Sequence, residues 1–153
     1  MFTNIRTIKI AVLVLYGCCL IALSMFKTAE LFLPTIYAIE SWLGGDKLMH
    51  LKLSAVLTVL ALLAFVSINE RRAGMSNSTY TVFYPTFSPV LFSLGICGLL
   101  VAGLLVDELH QAFVSTRRFE WRDLAYGVSG ISIGFLIFWL GHLLRITVYR
   151  RCL

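Results

Sequence analysis

The sequence DELHQAFVSTRRFEWRD, residues 107–123, is the densest polar run in a chain that is otherwise mostly apolar. It lies between two long hydrophobic segments, and a shorter polar cluster, DKLMH at residues 46–50, opens another hydrophobic segment. This alternation predicts that hydrophobic helices hold the two polar clusters at one face of a membrane.

The composition favours a single-domain integral membrane protein. Apolar residues make up 59% of the 153 residues and charged residues only 14%, with a mean hydropathy of +0.86. A soluble domain of this length could not bury so much apolar surface in one core. The net charge of +5 does not indicate nucleic acid binding, because the basic residues flank hydrophobic segments instead of forming one stripe on a soluble surface.

Four hydrophobic segments are long enough to cross the hydrocarbon core of a bilayer, which takes about 20 residues. A short polar loop with interfacial pieces, including Tyr37, joins the first two. The first segment follows Arg6 and Lys9 and so has the general form of a signal peptide, but we expect it to be retained as a span. The four predicted spans cover residues 8–26, 47–68, 87–106 and 124–144.

The distribution of basic residues predicts that both termini lie in the cytoplasm. In that orientation the inner side carries seven of the 13 Lys and Arg residues, with Glu70 as its only acid. The outer side carries the other six among the remaining acids, and both polar clusters lie there. The inner basic residues are Arg6, Lys9, Arg71, Arg72, Arg145, Arg150 and Arg151.

Side chains within each polar cluster are spaced to share a helix face. Asp46 and His50 are four residues apart, which places them on one side of the second span. Asp107 and Gln111 have the same spacing, and they share a face if the third span continues one turn beyond Val106.

Positive charge is concentrated at the outer ends of the second and fourth predicted spans. The second and fourth spans begin at the outer face, where the free N–H groups of helix N-termini attract anions. Lys47 and Arg117 lie near these ends, so the phosphate of an outer-leaflet lipid is a candidate ligand. Neighbouring acids and His50 could transfer protons.

Simpler roles stay open for the same residues. Asp46 and Asp123 could serve only as N-caps of their helices, and His50 could be an interfacial histidine with a backbone partner. A metal site on Asp46, His50 and Glu108 is a further alternative, but the sequence has no HExxH motif, and we expect no metal and no cofactor. Because ionisable groups just inside a span are costly, a functional role for His50 is favoured.

Two glycines in the fourth span have the spacing of a helix-packing motif. Gly130 and Gly134 form a GxxxG pair, which lets helices approach closely. We expect packing to be the role of this pair. A homo- or hetero-oligomer formed through the fourth span is also open.

An ordered set of residues runs from the second span into the fourth: Asp46-Lys47-x-x-His50, Asp107-Glu108-x-x-Gln111-x-Phe113, Arg117, Asp123 and Gly130. At these spacings the set resembles the VanZ-like membrane protein family, named after a protein associated with teicoplanin resistance. The chain departs from that family at Ser115-Thr116, where a Pro-Gly pair is frequent, and at Gly127, where an asparagine is frequent. The resemblance implies a small multi-span protein linked to the cell envelope and to glycopeptide tolerance.

The sequence therefore predicts an all-α integral membrane protein of the bacterial cytoplasmic membrane, with four transmembrane helices and an outer-facing polar cluster. We expect it to bind or modify a lipid headgroup or a lipid-linked envelope precursor at the outer leaflet, with an effect on teicoplanin tolerance. The alternative is a non-enzymatic membrane scaffold or accessory subunit whose polar network fixes helix packing. The expected roles are phosphate binding by Lys47 and Arg117, proton positioning or transfer by His50, Asp107 and Glu108, and further ligand contacts by Asp46, Gln111 and Asp123.

Overall fold

A computed structural model describes residues 5–74, 89–113 and 119–151, and within these the side chains of residues 5–66, 89–113 and 119–144. The regular elements of this part of the chain are all helices. They are α1 (Ile5–Thr28), α2 (Leu33–Leu43), α3 (Asp46–Gly74), α4 (Pro89–Ala112) and α5 (Trp121–Arg151).

Four of these helices are long and apolar enough to cross a membrane, which confirms the predicted all-α fold class with four spans. The qualifying stretches are Ile5–Thr28, Asp46–Val66, Pro89–Ala112 and Trp121–Leu144. A helix of 24 residues is roughly 36 Å long and so exceeds the hydrocarbon thickness of about 30 Å. No residue of α1 is buried within the protein, and α4 exposes large apolar side chains such as Leu99 and Val106. These surfaces suit contact with lipid tails.

The segment predicted as a polar loop between the first two spans is instead the helix α2. It begins with Pro34 in its first turn, a position where the missing N–H of proline is harmless. It ends at Gly44, whose φ of 95° is left-handed. The Gly44 and Gly45 N–H groups donate to the carbonyls of Ser41 and Glu40, which is a Schellman motif. Because 11 residues reach only about 16 Å, α2 cannot span a membrane.

Helices α3 and α5 form the tightest pair, and glycine makes their approach possible. A Cβ atom on Gly130 would lie 2.2 Å from the Leu51 carbonyl oxygen, and one on Gly134 would lie 2.5 Å from that of Ala55. Both distances are far below a van der Waals contact, so any larger residue would push the helices apart. The predicted packing role of the GxxxG pair is confirmed, and its glycine face is occupied by α3 of the same chain.

The chain direction alternates along the bundle, and this brings the polar segments to one end. Helices α1 and α4 finish there with Lys27 and Gln111, while α3 and α5 begin there with Asp46 and Trp121. We call this the polar end of the bundle. Helix α4 continues beyond Val106 to Ala112. This continuation is the condition under which Asp107 and Gln111 were predicted to share a helix face.

Candidate functional site

A cavity of about 120 Å³ opens among α1, α2, α3 and α4 at the polar end. On α1 and α4 its lining is polar near the helix ends and apolar deeper in the bundle, whereas α2 and α3 contribute polar and apolar residues without that order. The polar part consists of Ser24, Lys27, His50, Ser54, Asp107 and Gln111. The apolar part consists of Leu20, Leu23, Ile36, Ile39, Met49, Leu53, Leu57 and Leu104.

Asp107 is the acid that lines this cavity, and two neutral groups hold it in place. The Ser24 hydroxyl donates to Asp107 Oδ1 at 2.9 Å, and the Gln111 amide donates to Oδ2 at 3.0 Å. The second bond joins residues four apart on α4, as the sequence spacing predicts. The salt bridges among the described side chains give Asp107 no basic partner. The cavity wall therefore carries a carboxylate that is hydrogen-bonded but not neutralised by those side chains.

Lys27 forms the second polar group, which joins α1, α2 and α3. Its ammonium group donates to Glu40 Oε1 and to Asp46 Oδ1, the latter at 2.7 Å. The Lys27 side chain is 17% exposed and that of Glu40 is 10% exposed, so both charges are largely removed from solvent. His50 Nε2 lies 3.9 Å from Asp46 Oδ1, which is too far for a hydrogen bond. The group thus holds two carboxylates around one ammonium, with an imidazole beside it.

Lys47 forms the third group and links the two polar clusters of the sequence. Its ammonium group lies 2.9 Å from Glu120 Oε2 and 3.3 Å from Asp123 Oδ1. The hydrogen bond from Lys47 is the main reason that the pKa of Glu120 is lowered from its ordinary value. The clusters at residues 46–50 and 107–123 therefore meet at the polar end. In this arrangement Lys47 donates hydrogen bonds to two carboxylates, so the ammonium that was expected to hold phosphate already has anionic partners.

The alternative in which Asp46 and Asp123 act as N-caps is wrong. The first intrahelical bonds run from Met49 N–H to the Gly45 carbonyl and from Leu124 N–H to the Glu120 carbonyl. The residue whose carbonyl accepts that bond is the N-cap, so both aspartates lie inside the first turn. There they stabilise the positive end of the helix dipole.

The remaining predicted site residues lie in different surroundings. Glu108 is only 3% exposed and Gln111 only 2% exposed, yet only Gln111 is among the residues that line the cavity. Arg117 lies outside the described residues.

A cluster with metal-ligating chemistry is present, but its members differ from the predicted set. Among the described residues, ligand atoms of Asp46, His50 and Asp123 lie within 4.8 Å of one another. Asp123 thus takes the place that the sequence assigned to Glu108. A cation at this position would have to displace Lys27 and Lys47 from the two carboxylates.

Sequence reasoning missed five residues that the structure places in the site: Ser24, Lys27, Glu40, Ser54 and Glu120. Ser24 and Lys27 are three apart near the end of α1, a spacing that puts both on one helix face. Glu40 is one of two buried residues of α2. The signal for Ser24 and Lys27 was present in this spacing, whereas nothing local indicates that Glu40 turns toward Lys27.

Comparisons with protein-family models, with curated proteins and with solved structures find no match for this chain. The fold and the site define its class: a multi-pass helical membrane protein with a polar cavity among the ends of its helices.

Proposed function

We propose that this protein binds a membrane lipid by its headgroup, at the outer leaflet of a bacterial cytoplasmic membrane. The observation that carries the proposal is the cavity at the polar end, whose lining on α1 and α4 changes from polar near the helix ends to leucine deeper in the bundle. The side chains described around it combine hydrogen-bond donors, acceptors and charges with leucine and isoleucine.

The shape of the lining fits an amphiphile better than a soluble ligand. On α1 the lining residues extend from Lys27 back to Leu20, and on α3 they extend from Met49 to Leu57. These stretches cover seven and eight helical steps, or about 10 to 12 Å along the helix axis. An ion or a small metabolite would use only the polar part, whereas a lipid would place its headgroup there and its first carbons against the leucines.

Chemical modification of the bound lipid would use the residues that touch it. His50 and Asp107 both line the cavity and belong to the side chains that can accept or donate protons. The resemblance to VanZ-like proteins extends the proposal to lipid-linked envelope precursors and to teicoplanin tolerance. That extension depends on the residue pattern alone.

A membrane scaffold is the second candidate function, and one observation favours it. Lys27 neutralises carboxylates from two other helices, so part of the polar network stabilises helix packing whatever the cavity holds. The two functions differ in whether the cavity must stay open.

Filling the cavity tests the proposal directly. We expect the Leu20→Phe variant to lose a lipid that co-purifies with the wild-type protein, because the larger ring occupies the apolar part of the lining. The measurement is quantitative mass spectrometry of lipids that remain with the purified protein after delipidating washes. Leu99→Phe is the matched control, since Leu99 is 75% exposed on α4.

The outcomes separate the two functions. Lipid retained by wild type and Leu99→Phe but lost from Leu20→Phe, with unchanged thermal stability, supports binding in the cavity. Equal retention by all three proteins, or no retained lipid in any of them, overturns it and favours the scaffold.

A further inference from the structure

We infer that the headgroup bound in this cavity carries an ammonium group on a short linker and has no net charge. The inference rests on the proposed function and names the chemical class of its ligand. It comes from the charges that surround the cavity and from its volume.

The described ionisable groups at the cavity are predominantly acidic. Lys27, His50 and Asp107 line it, and the ammonium of Lys27 is bonded to the carboxylates of Glu40 and Asp46. Three carboxylates thus stand against one ammonium, and the balance stays negative whether His50 is neutral or protonated. These described groups would repel a headgroup with net negative charge, and the repulsion at a partly buried site is stronger than in bulk water.

Asp107 supplies a carboxylate that can accept hydrogen bonds from the ammonium group of the ligand. Each of its carboxylate oxygens accepts one hydrogen bond from a neutral donor, Ser24 or Gln111. A carboxylate oxygen has about two acceptor positions, so each retains capacity for another donor. Asp107 is half-buried and has no basic partner among the described side chains, so it carries a desolvation cost that a ligand ammonium would reduce.

Lys27 provides a hydrogen-bond donor for the phosphate of such a ligand. An ammonium group has three N–H donors, and Lys27 uses two of them for Glu40 and Asp46. The third can reach a phosphodiester at the polar end. A zwitterionic headgroup would therefore meet an acceptor for its ammonium and a donor for its phosphate without adding net charge.

The cavity volume favours a small headgroup. At about 120 Å³ it is below the range of roughly 300 to 1,000 Å³ that holds drug-sized ligands. An aminoethyl phosphate group is compact, whereas the sugar and peptide parts of a lipid-linked envelope precursor are large. The volume and the charge thus point to the same ligand class.

Competition among lipids tests the inference on the full-length protein in detergent. The probe is an equimolar mixture of phosphatidylethanolamine, phosphatidylglycerol and phosphatidylcholine with identical acyl chains, and native mass spectrometry measures which lipid stays bound. We expect the wild type to retain phosphatidylethanolamine about tenfold over phosphatidylglycerol, an effect that one charge-assisted hydrogen bond can produce. We also expect the wild type to retain more phosphatidylethanolamine than phosphatidylcholine, because the quaternary ammonium of phosphatidylcholine has no N–H donor.

Asp107→Asn is the informative variant, because it removes the charge and keeps the shape. We expect its preference for phosphatidylethanolamine over phosphatidylglycerol to fall to near equality. Glu30→Gln is the matched control, since Glu30 is an exposed acid that does not line the cavity, and it should keep the wild-type ratio. If Asp107→Asn does not fold, the comparison of the three lipids on the wild type decides the question.

The results distinguish failure of this inference from failure of the proposed function. Preference for phosphatidylglycerol, equal binding of phosphatidylcholine, or an unchanged ratio in Asp107→Asn overturns the ammonium inference, while lipid binding still depends on Leu20. Loss of all lipid binding in the wild type, or binding that Leu20→Phe leaves intact, overturns the proposed function itself.

Discussion

The ammonium group of Lys27 is bonded to two carboxylates from two other helices, Glu40 on α2 and Asp46 on α3. This one side chain therefore connects three helices. The geometry depends on the turn between α1 and α2, where Glu30 and Phe32 adopt positive φ angles of 56° and 57°. This turn reverses the chain so that α2 can present Glu40 to Lys27.

We predict that Lys27→Met destabilises the protein by roughly 3 kcal/mol, because it leaves the buried Glu40 carboxylate and the half-buried Asp46 carboxylate without their cation. Thermal unfolding of the purified protein in detergent measures the effect. Combining Lys27→Met with Glu40→Gln should restore part of the loss, since one unpaired charge is then removed. The matched control is Lys52→Met.

The Lys52 control separates a buried ion cluster from an exposed contact. Within the part of the chain that the structure describes, its ammonium group donates to the Leu43 carbonyl alone, at 2.7 Å, in an exposed position. The Lys52→Met variant should therefore lose about 1 kcal/mol or less. Equal stability of the two Met variants would show that the Lys27 cluster contributes nothing beyond a surface contact.

At the scale of elements, the pairing of α3 with α5 positions the site. The close approach at Gly130 and Gly134 fixes the N-terminal ends of both helices side by side, and this places Lys47 within reach of Glu120 and Asp123. The contact is intramolecular, so any partner helix that meets α5 would use a different face.

We predict that Gly130→Ala destabilises the protein by about 1 to 3 kcal/mol, the usual cost of overpacking a close contact. Its methyl group would collide with the backbone carbonyl of Leu51, which cannot move aside as a flexible side chain can. Gly141→Ala is the control on the same helix, because nothing lies within 4 Å of a Cβ atom there. That variant should be as stable as the wild type or slightly more stable, since alanine favours a helix over glycine.

Thermal unfolding of the purified protein checks the Gly130 prediction. The ratio of bound phosphatidylethanolamine to phosphatidylglycerol is measured on the same samples. A Gly130→Ala variant as stable as Gly141→Ala would mean that α3 and α5 are not in close contact.

The four long helices were predictable from hydrophobicity, and helix α2, which hydrophobicity does not specify, was missed. Apolar stretches of about 20 residues stand out when hydropathy is averaged along the sequence. Four helices of the described structure correspond to such stretches. Helix α2 is too short for that signal. Its visible marks were Pro34 in the first turn and Gly44 at the C-terminal end, but the segment around Pro34 was interpreted as a polar loop.

At the scale of the whole molecule, the site depends on contacts that sequence periodicity does not encode. Spacing within one helix correctly placed Asp107 beside Gln111. Contacts between helices, such as Ser24 with Asp107, depend on how each helix is rotated about its axis. Several rotations bury similar apolar surface in a lipid environment, so the sequence pattern alone does not select one of them.

The orientation of the whole bundle carries the last prediction, because the proposed ligand lies in the outer leaflet only if the polar end faces outward. We predict that the chain terminus after Leu153 is cytoplasmic and that the turn at Gly45 is external. The positive-inside rule favours this arrangement, since Arg71 and Arg72 follow the second span and Arg145 follows the fourth. At the polar end Lys27 and Lys47 are already paired with acids.

Two fusions and one labelling site measure the orientation independently. A green fluorescent protein fused after Leu153 should fluoresce, and alkaline phosphatase at the same position should be inactive, because the first folds in the cytoplasm and the second outside it. A Ser41→Cys variant, at an exposed position in the last turn of α2 beside the turn at Gly45, should react with a membrane-impermeant maleimide on intact spheroplasts in a background without the four native cysteines. The opposite pattern in all three would place the cavity at the cytoplasmic leaflet. The lipid specificity argued from Asp107 would then still be testable, but its ligand would have to be sought on the other side of the membrane.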